Sequence, residues 1–548
     1  MPGADLVRLA LTALLASIPV ALPATFTLSA AVSAQILAAR GVLLTRLSAA
    51  HDAAAMDVLC SDKTGTLTRN ALEIVEIRAM PGFEPNRVLA PAALASSEAD
   101  QDPIDSAIRS SASRSGALPD VPQLVRFVPF DPGTKTAEAF AVDHEGTSLR
   151  IMKGAYETVA NATQMPVEAR GLVDDLARHG HRVIAVAMGP PDALRLAGLI
   201  AISDPPREDS AQLIRTLQEL GVRTVMVTGD SPVTAAAVAT QVGIAGAVCP
   251  PERISEELSL SEYGVFARVV PEEKYRLVKA FQAHGYVVGM CGDGANDAPA
   301  LRQAQIGIAV SSATDVAKAA AGMVLTERGL GGVVFAVREG RIAFRRVLTF
   351  TLNMLVKKTE IVLFLAIGLV LTGHAVMTPA LMVLMIVTND FLAMSLTTDH
   401  ARSAASPCRW HMRSIASAAI ILALCKLAFS TALLAFGKFR LGLGPEALRT
   451  LAFVTLVFGN QAVMYVVRET DRMWRSAPSK WVLISSVADI AVVSTLAVSG
   501  TLMAPLSWRL VVAILLAAAG FAILLDQVKL RVTLMMRLQV RPSGAPIA

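Results

Sequence analysis

The sequence predicts an α-helical membrane protein with a soluble α/β part inserted after its first helix. Three observations support this fold class. The run from Leu9 to Ala39 carries no charge and exceeds the roughly 20 residues that a helix needs to cross a bilayer. The middle of the chain is more polar and repeats a strand, turn and helix pattern, and apolar runs return after Arg346. With 53% hydrophobic and 17% charged residues, the 548-residue chain is too apolar for a wholly soluble protein.

The net charge of +5 does not indicate nucleic-acid binding. Lysines and arginines cluster in loops beside apolar segments, as the positive-inside rule expects for a protein embedded in a lipid bilayer. The five cysteines form no C-x-x-C pair and no metal-ligand spacing, so they are interpreted as small core or membrane residues. The soluble part is therefore expected to face the reducing cytosol.

The first segment, residues 5–40, is predicted to be a membrane helix. Its start resembles a secretory signal peptide, but the apolar run continues past any Ala-x-Ala-like cleavage point. Pro19 and Pro23 in P-V-A-L-P remove backbone donors, and broken helices of this kind mark ion pathways in transporters. A simple kink is the alternative.

The stretch Cys60 to Asn70 contains the string D-K-T-G-T-L-T after an apolar run. A short buried parallel strand that ends in Asp62 places a carboxylate at the carboxyl edge of a sheet, where α/β proteins bind phosphates. Asp62 is the candidate nucleophile, Lys63 can offset phosphate charge, and Thr64 offers a hydroxyl. A harmless strand-to-loop turn would be the preferred interpretation of D-K-T alone, but not of all seven residues.

Residues 41–69 and 196–340 are predicted to form one domain, because further strands there end in polar loops at the same sheet edge. Asp293 and Asp297 in G-D-G-A-N-D can share a hard cation such as Mg²⁺, although Asp297 alone could be a helix cap. Lys274 taken alone would be an ordinary helix-surface residue. The other candidate residues of these loops are Asp204, Arg207, Thr228, Gly229, Asp230 and Asn296.

Together these strings resemble the motif set of the P-type ATPases, whose phosphorylation domain has a haloacid dehalogenase-like (Rossmannoid) fold. The resemblance implies ATP as substrate, an aspartyl-phosphate on Asp62, and Lys274 on the transferred phosphoryl group. It implies Mg²⁺ at Asp62, Thr64, Asp293 and Asp297. Soluble phosphatases of this fold keep an aspartate two residues after the nucleophile; here Thr64 stands there, so the phosphoenzyme is expected to persist.

Residues 70–195 are predicted to form a separate α+β lobe. Three strings there resemble the nucleotide-binding domain of the same family: D-P-I-D from Asp102, P-F-D-P with Lys135, and K-G-A from Lys153. The resemblance places Phe130 against adenine and Lys153 with Gly154 at the nucleotide pocket. Alone, a phenylalanine is more often a core residue and a lysine is usually solvated.

Six apolar runs between residues 341 and 527 are expected to cross the membrane, giving seven spans with the first helix. They are centred near residues 362, 388, 426, 459, 491 and 517. A cytosolic position for the soluble lobes puts the basic loops and the tail 528–548 inside, in agreement with the positive-inside rule. The sequence therefore predicts an integral protein of the plasma (inner) membrane.

Asp390 is the candidate transport residue, since a carboxyl group near mid-span should be neutral or paired. A satisfied structural carboxyl is the alternative. N-D in this run resembles the sixth helix of plasma-membrane proton pumps, and P-V-A-L-P lacks the glutamate or cysteines of calcium and heavy-metal pumps. The resemblance favours H⁺ export. The arginine partner of that family's aspartate is replaced here by Lys358 or Glu360, which leaves the counter-ion and even the ion open.

The resemblance begins at the family's fourth membrane helix, and the sequence contains no T-G-E, the actuator loop of these pumps. Three interpretations of this missing part are possible: the sequence is a fragment, its start was assigned wrongly, or it is one half of a split pump whose actuator is a separate chain. A transport-incompetent remnant that binds nucleotide is an alternative function. A pump for another cation, such as Mg²⁺, is a further alternative.

Overall fold

The computed structural model describes residues 21–98, 102–116, 122–143, 145–163, 169–250 and 261–539. The chain forms two compact units. The first contains the sequence up to Ala39, Ala53–Ala55 and everything from Val337 onward; the second contains Arg40–Asp52 and Met56–Ala336. Both sheets belong to the second unit, and the long apolar helices belong to the first.

Fourteen strands occur among the described residues. In chain order they are β1 (Val42–Leu44), β2 (Val58–Asp62), β3 (Glu73–Ala79), β4 (Gln123–Asp131), β5 (Thr136–Val142), β6 (Ser148–Ala155), β7 (Arg182–Gly189), β8 (Arg195–Ser203), β9 (Arg223–Val227), β10 (Ala247–Cys249), β11 (Tyr263–Phe266), β12 (Val288–Gly292), β13 (Ile306–Ala309) and β14 (Met323–Leu325).

The larger sheet has eight strands in the order β1-β14-β13-β12-β2-β9-β11-β10. All neighbouring pairs are parallel except β1 with β14. The central strands β12 and β13 are buried along their whole length, as expected for parallel strands covered by helices on both faces. β2 lies between β12 and β9, so the loops that follow these three strands meet at one edge.

The smaller sheet is antiparallel, in the order β3-β8-β7-β6-β5-β4. Its last strand in sequence runs to Ser203, eight residues beyond the boundary predicted at 195. The run Gly198 to Ser203 resembles the start of the next parallel unit in sequence, but it pairs with β3 and β7 instead. Among the described residues, the helices of this second unit are Ser48–Ala55 (whose last three residues belong to the first unit), Pro85–Leu94, Pro103–Arg114, Tyr156–Asn161, Ala169–Arg178, Ser210–Glu219, Pro232–Val242, Pro271–Ala283, Ala298–Gln303 and Asp315–Ala320.

Five described helices are long and apolar enough to cross a membrane: Pro379–Thr398, Met412–Phe439, Pro445–Val467, Lys480–Ser499 and Trp508–Thr533. The predicted run near residue 362 forms the last part of a 42-residue helix, Gly331–Thr372. The first predicted span is described only as the helix Ala21–Ala38. The last helix continues to Gln539, beyond the tail boundary predicted at 528, because residues 528–539 keep a helix-forming composition.

Candidate functional site

Asp62 ends β2 at the carboxyl edge of the larger sheet, as the sequence predicts. Its side chain is 13% exposed. One carboxylate oxygen, Oδ1, accepts a hydrogen bond from the backbone N–H of Lys63 at 2.7 Å. The other, Oδ2, accepts one from the Lys274 ammonium at 2.6 Å. The carboxylate is therefore held in a fixed orientation in the described structure.

Lys274 lies in the first turn of the helix Pro271–Ala283 and is buried. Its ammonium bridges two carboxylates, since it also donates to Asp297 Oδ1 at 2.7 Å. Burial lowers the pKa of Lys274, but the charges of Asp62 and Asp297 outweigh it and the net pKa is raised. Lys274 therefore places a positive charge next to the candidate nucleophile Asp62, although the sequence around the lysine resembles an ordinary helix surface.

Asp62, Asp293 and Asp297 form a three-carboxylate cluster, with one oxygen of each within 4.8 Å of the others. Burial raises the pKa of Asp62 to about 6, opposed by the Lys274 ammonium and reinforced by the Asp297 carboxylate. Burial and then Asp297 raise the pKa of Asp293 as well. One ammonium does not neutralise three crowded carboxylates, so the cluster favours a bound cation.

Gly65 allows this approach of loop and carboxylate. Its φ is +70°, and a Cβ at this position would lie 2.7 Å from Asp293 Oδ2. Only glycine adopts this φ without strain and leaves room for the carboxylate. The predicted ligand Thr64 lies beside it, half-buried and in extended conformation.

The loop after β9 supplies Asp230, whose carboxylate forms a 2.5 Å ion pair with the Lys63 ammonium. The hydroxyl of Thr228 accepts a hydrogen bond from the Asp230 backbone N–H at 3.2 Å and shapes the turn through Gly229. The predicted residues of T-G-D are thus joined to the D-K-T string through Lys63. The ion pair with Asp230 holds the Lys63 side chain beside the candidate nucleophile Asp62.

Three other predicted residues have different surroundings. Asp204 accepts hydrogen bonds from the Thr68 hydroxyl at 2.5 Å and from Ala71 N–H at 3.2 Å, so it fixes the chain where it leaves the loop after β2. The Arg207 backbone N–H donates to Leu67, and its guanidinium lies 3.4 Å from Asp209. Asn296 is exposed in the turn Ala295–Asp297.

A cavity of about 510 Å³ on the six-stranded sheet brings together the three strings of the predicted nucleotide lobe. Phe130 is 46% exposed at its wall, which leaves a ring face available for stacking. Lys135 has the left-handed φ of +57° in the turn between β4 and β5. The lining contains the predicted residues Phe130, Lys135, Lys153 and Gly154, and also Asp102 and Asp105 of D-P-I-D.

Lys153 is buried, and its ammonium donates to the Asp105 carboxylate and the Ser96 hydroxyl. Burial lowers the pKa of Lys153, opposed by the Asp105 carboxylate. Asp105 and Ser96 were not among the predicted site residues. The sequence signal that could have identified Asp105 is its place as the second aspartate of D-P-I-D. A buried lysine in K-G-A requires an acidic partner, and Asp105 supplies it.

In the helical unit, Asp390 lies in the helix Pro379–Ser395 and is half-buried. It interacts electrostatically with Lys357 and Lys358 of the long helix Gly331–Thr372. Glu360 points elsewhere: its carboxylate accepts from the Lys426 ammonium and from the Ser430 hydroxyl. Of the two counter-ion candidates, Lys358 is the one whose charge acts on Asp390, and Lys357, which was not a candidate, acts on it more strongly.

Of the two prolines predicted to break the first helix, Pro23 lies within the described residues. Pro23 is exposed within the helix Ala21–Ala38, where its carbonyl accepts from the Thr27 hydroxyl at 3.0 Å. Pro19 lies outside the described residues.

Comparison with known proteins relates most of the chain to cation-transporting and plasma membrane ATPases. A haloacid dehalogenase-like hydrolase family model matches residues 56–305, and a second model of that description matches residues 276–337. A Methanocaldococcus jannaschii protein named as a cation-transporting ATPase is 33% identical over 542 residues, which are 95% of this chain and 67% of the relative. The chain belongs to the P-type cation-transporting ATPase family.

Two fungal members of this family are named plasma membrane ATPases. The Kluyveromyces lactis enzyme is 29% identical over 521 residues, covering 90% of this chain and 58% of the relative. Plasma membrane ATPase 2 of Saccharomyces cerevisiae is 30% identical over 522 residues, covering 90% and 55%. The chain therefore spans between about half and two thirds of the length of these relatives. With its five candidate spans, this P-type ATPase chain is an integral plasma-membrane protein.

The three-carboxylate cluster fits the Mg²⁺ that P-type ATPases imply. Mg²⁺ prefers oxygen ligands, and here three carboxylates with one oxygen each within 4.8 Å share the single ammonium of Lys274. Asp293 and Asp297 would hold the ion beside Asp62.

Proposed function

We propose that this chain is the catalytic and membrane core of an ATP-driven proton pump. The observation that supports the chemistry best is the arrangement at Asp62, a rigidly oriented carboxylate with the Lys274 ammonium at 2.6 Å. In the proposed step, Asp62 attacks the γ-phosphorus of ATP, the bond to the β,γ-bridging oxygen breaks, and ADP leaves. Lys274 and Lys63 offset negative charge on the transferred phosphoryl group.

A bound Mg²⁺ would neutralise phosphate charge in this site. The chain's own residues orient the reactants: Lys63 N–H fixes the Asp62 carboxylate, and Asp230 holds the Lys63 side chain. ATP is proposed to bind in the cavity at Phe130, with the ring stacked on adenine. Asp105 is proposed to position Lys153 at the cavity wall.

H⁺ is the proposed cargo, carried by Asp390. Within the described residues, the cluster at Asp62 is the one group of three acidic, histidine or cysteine side chains close enough to share a metal ion. Asp390 is a carboxylate in a membrane helix with the charges of Lys357 and Lys358 acting on it. One carboxyl group can bind a proton, whereas a metal ion needs several oxygen ligands. The catalytic lobes are proposed to face the cytosol.

The phosphoenzyme is proposed to be long-lived in this chain alone, since Thr64 replaces the second aspartate and the sequence has no T-G-E. A glutamate from outside these 548 residues, on a separate chain or another segment, would then position the hydrolytic water. Adding such an actuator in trans is expected to speed the decay of the phosphoenzyme in a chase with unlabelled ATP.

The decisive experiment is labelling with [γ-³²P]ATP in membranes. We expect acid-stable, hydroxylamine-labile label in the wild type, its loss in Asp62→Asn, and its retention in Asp174→Asn, a matched change at an exposed helix position. Label that survives in Asp62→Asn would contradict the proposal.

A further inference from the structure

Lys426 stands in the middle of the membrane helix Met412–Phe439, where it is the one charged residue between Arg413 and Lys438. It is 0% exposed, so protein atoms and not lipid surround it. A charge at the centre of a membrane costs about 2.5 to 3.5 kcal/mol even on lenient scales, and such residues are commonly functional. Neither the phosphorylation chemistry nor the proton path proposed above uses this lysine.

Oxygen atoms from two neighbouring helices surround the Lys426 ammonium. It donates to the Glu360 carboxylate and to the side-chain carbonyl of Asn460. The second Glu360 oxygen accepts from the Ser430 hydroxyl at 2.7 Å. Both oxygens of this carboxylate, which is 1% exposed, are therefore already bonded within the protein.

Gly459 is a second and independent sign that this place is built for the lysine. A Cβ at Gly459 would lie 3.0 Å from Lys426 Cε, so the absence of a side chain leaves the space that the lysine stem occupies. The residue next to it, Asn460, supplies the amide oxygen. Two consecutive positions of one helix thus provide the room for the lysine side chain and one of the two oxygen partners of its ammonium.

We propose that Lys426 is a tethered internal cation that fills an alkali-cation site formed by Glu360, Asn460 and Ser430. A carboxylate, an amide oxygen and a hydroxyl are ligands that Na⁺ or K⁺ would accept, and the ammonium occupies their centre. Lys426 also interacts electrostatically with Lys357, whose charge reaches Asp390. The inference rests on the proposed transport function: the fixed cation keeps metal ions from this cluster, which restricts the cargo to the proton at Asp390.

The test measures ion binding and not transport, so it is independent of the proposed cargo. Thermal unfolding of the full chain in detergent is followed while KCl or NaCl replaces choline chloride at constant ionic strength. For Lys426→Met we expect a saturable rise in Tm of about 3 °C or more. Wild type and the double variant Lys426→Met/Glu360→Gln should show no rise, because the site is filled in one and lacks its charge in the other.

Two results would overturn the proposal. One is a Lys426→Met protein that folds but is stabilised by acid and not by either alkali cation, which would mean that Glu360 simply takes a proton. The other is a wild type that shows the alkali-cation rise itself. If Lys426→Met does not fold, Lys426→Gln removes the charge but keeps a donor to Glu360, and the same saturable response is expected from it.

Discussion

Asp62 is a single residue at which burial and neighbouring charge disfavour the ionised carboxylate. Its carboxylate lies among two others and one ammonium, so burial and repulsion keep its pKa near 6. A cluster of ionised carboxylates that repel one another favours the binding of a positively charged ligand. Substitution of one carboxylate removes this repulsion and commonly stabilises a protein while it abolishes activity.

The first prediction concerns pH in EDTA. Because the folded state holds the Asp62 proton more tightly than the unfolded chain, the stabilising contribution is present below the ordinary pKa of 3.8 and is lost as pH rises through about 6. The Tm of Asp62→Asn minus that of wild type should therefore increase from about pH 4 to about pH 7. Scanning calorimetry measures it; a difference that stays flat or shrinks would contradict the assigned shift.

The second prediction concerns Gly65. In Gly65→Ala the new Cβ would lie 2.7 Å from Asp293 Oδ2 at a φ of +70°, so we expect a destabilisation of about 1 to 3 kcal/mol. Mg²⁺ binding to the cluster should raise the Tm of the wild type, and we expect Gly65→Ala to lose that rise. Gly146→Ala is the matched control, since its φ is +82° but no atom lies within 4 Å of the added Cβ. The control should lose stability and keep the Mg²⁺ response. Equal Mg²⁺ responses in the two variants would argue against the cluster as the metal site.

At the scale of elements, the end of strand β4 lines the cavity that contains Phe130, whereas an earlier part of the same strand does not. Phe130 near its end lines the cavity, whereas Val125 on the same strand is 67% exposed and lies outside it. The two positions therefore separate a loss of stacking from a general disturbance of the edge strand.

The third prediction follows from this pair. Phe130→Ala should weaken ATP binding about 5- to 150-fold, the equivalent of about 1 to 3 kcal/mol for stacking of an aromatic ring on a base. Val125→Ala should leave the affinity unchanged. Isothermal titration calorimetry with ATP on the detergent-solubilised chain gives both values, and equal losses would place adenine elsewhere.

The strand-and-loop order of the phosphorylation domain could be predicted because each functional loop follows a buried apolar strand and carries its own local string. The extent of β8 could not, since Gly198 to Ser203 is compatible in sequence with a parallel or an antiparallel partner. The Lys63 pair with Asp230 and the Lys153 pair with Asp105 depend on side-chain directions across different strands, which spacing along the chain does not determine. Lys426 gave a usable sequence signal, a lone charge within an apolar helix, although its partners Glu360 and Asn460 are distant in sequence.

At the scale of the whole molecule, the chemistry at Asp62 and the charged residues around Asp390 lie in different units of the chain. A pump requires that they be coupled, yet each should be separable by substitution. Asp390 is the natural position to test this, since it belongs to the first unit whereas Asp62 belongs to the second.

The fourth prediction is that Asp390→Asn still forms the hydroxylamine-labile phosphoenzyme but moves no protons. The amide cannot carry the charge that Lys357 and Lys358 face, so ATP-dependent acidification of vesicles should fall to background. Glu446→Gln, at a carboxylate whose side chain is 72% exposed, is the control and should transport normally. Wild-type proton flux in Asp390→Asn would assign the cargo to another group.

The first and last strands of the six-stranded sheet in sequence, β3 and β8, are direct neighbours. The segment before β3 and the segment after β8 are joined by the hydrogen bond from Thr68 to Asp204. The chain thus departs and returns at almost the same point. Segments with adjacent ends are the ones that evolution and engineering can exchange without disturbing their host. This lobe is therefore suited to transfer as a cassette, so that a nucleotide preference could be moved between related pumps while the phosphorylation site stays intact.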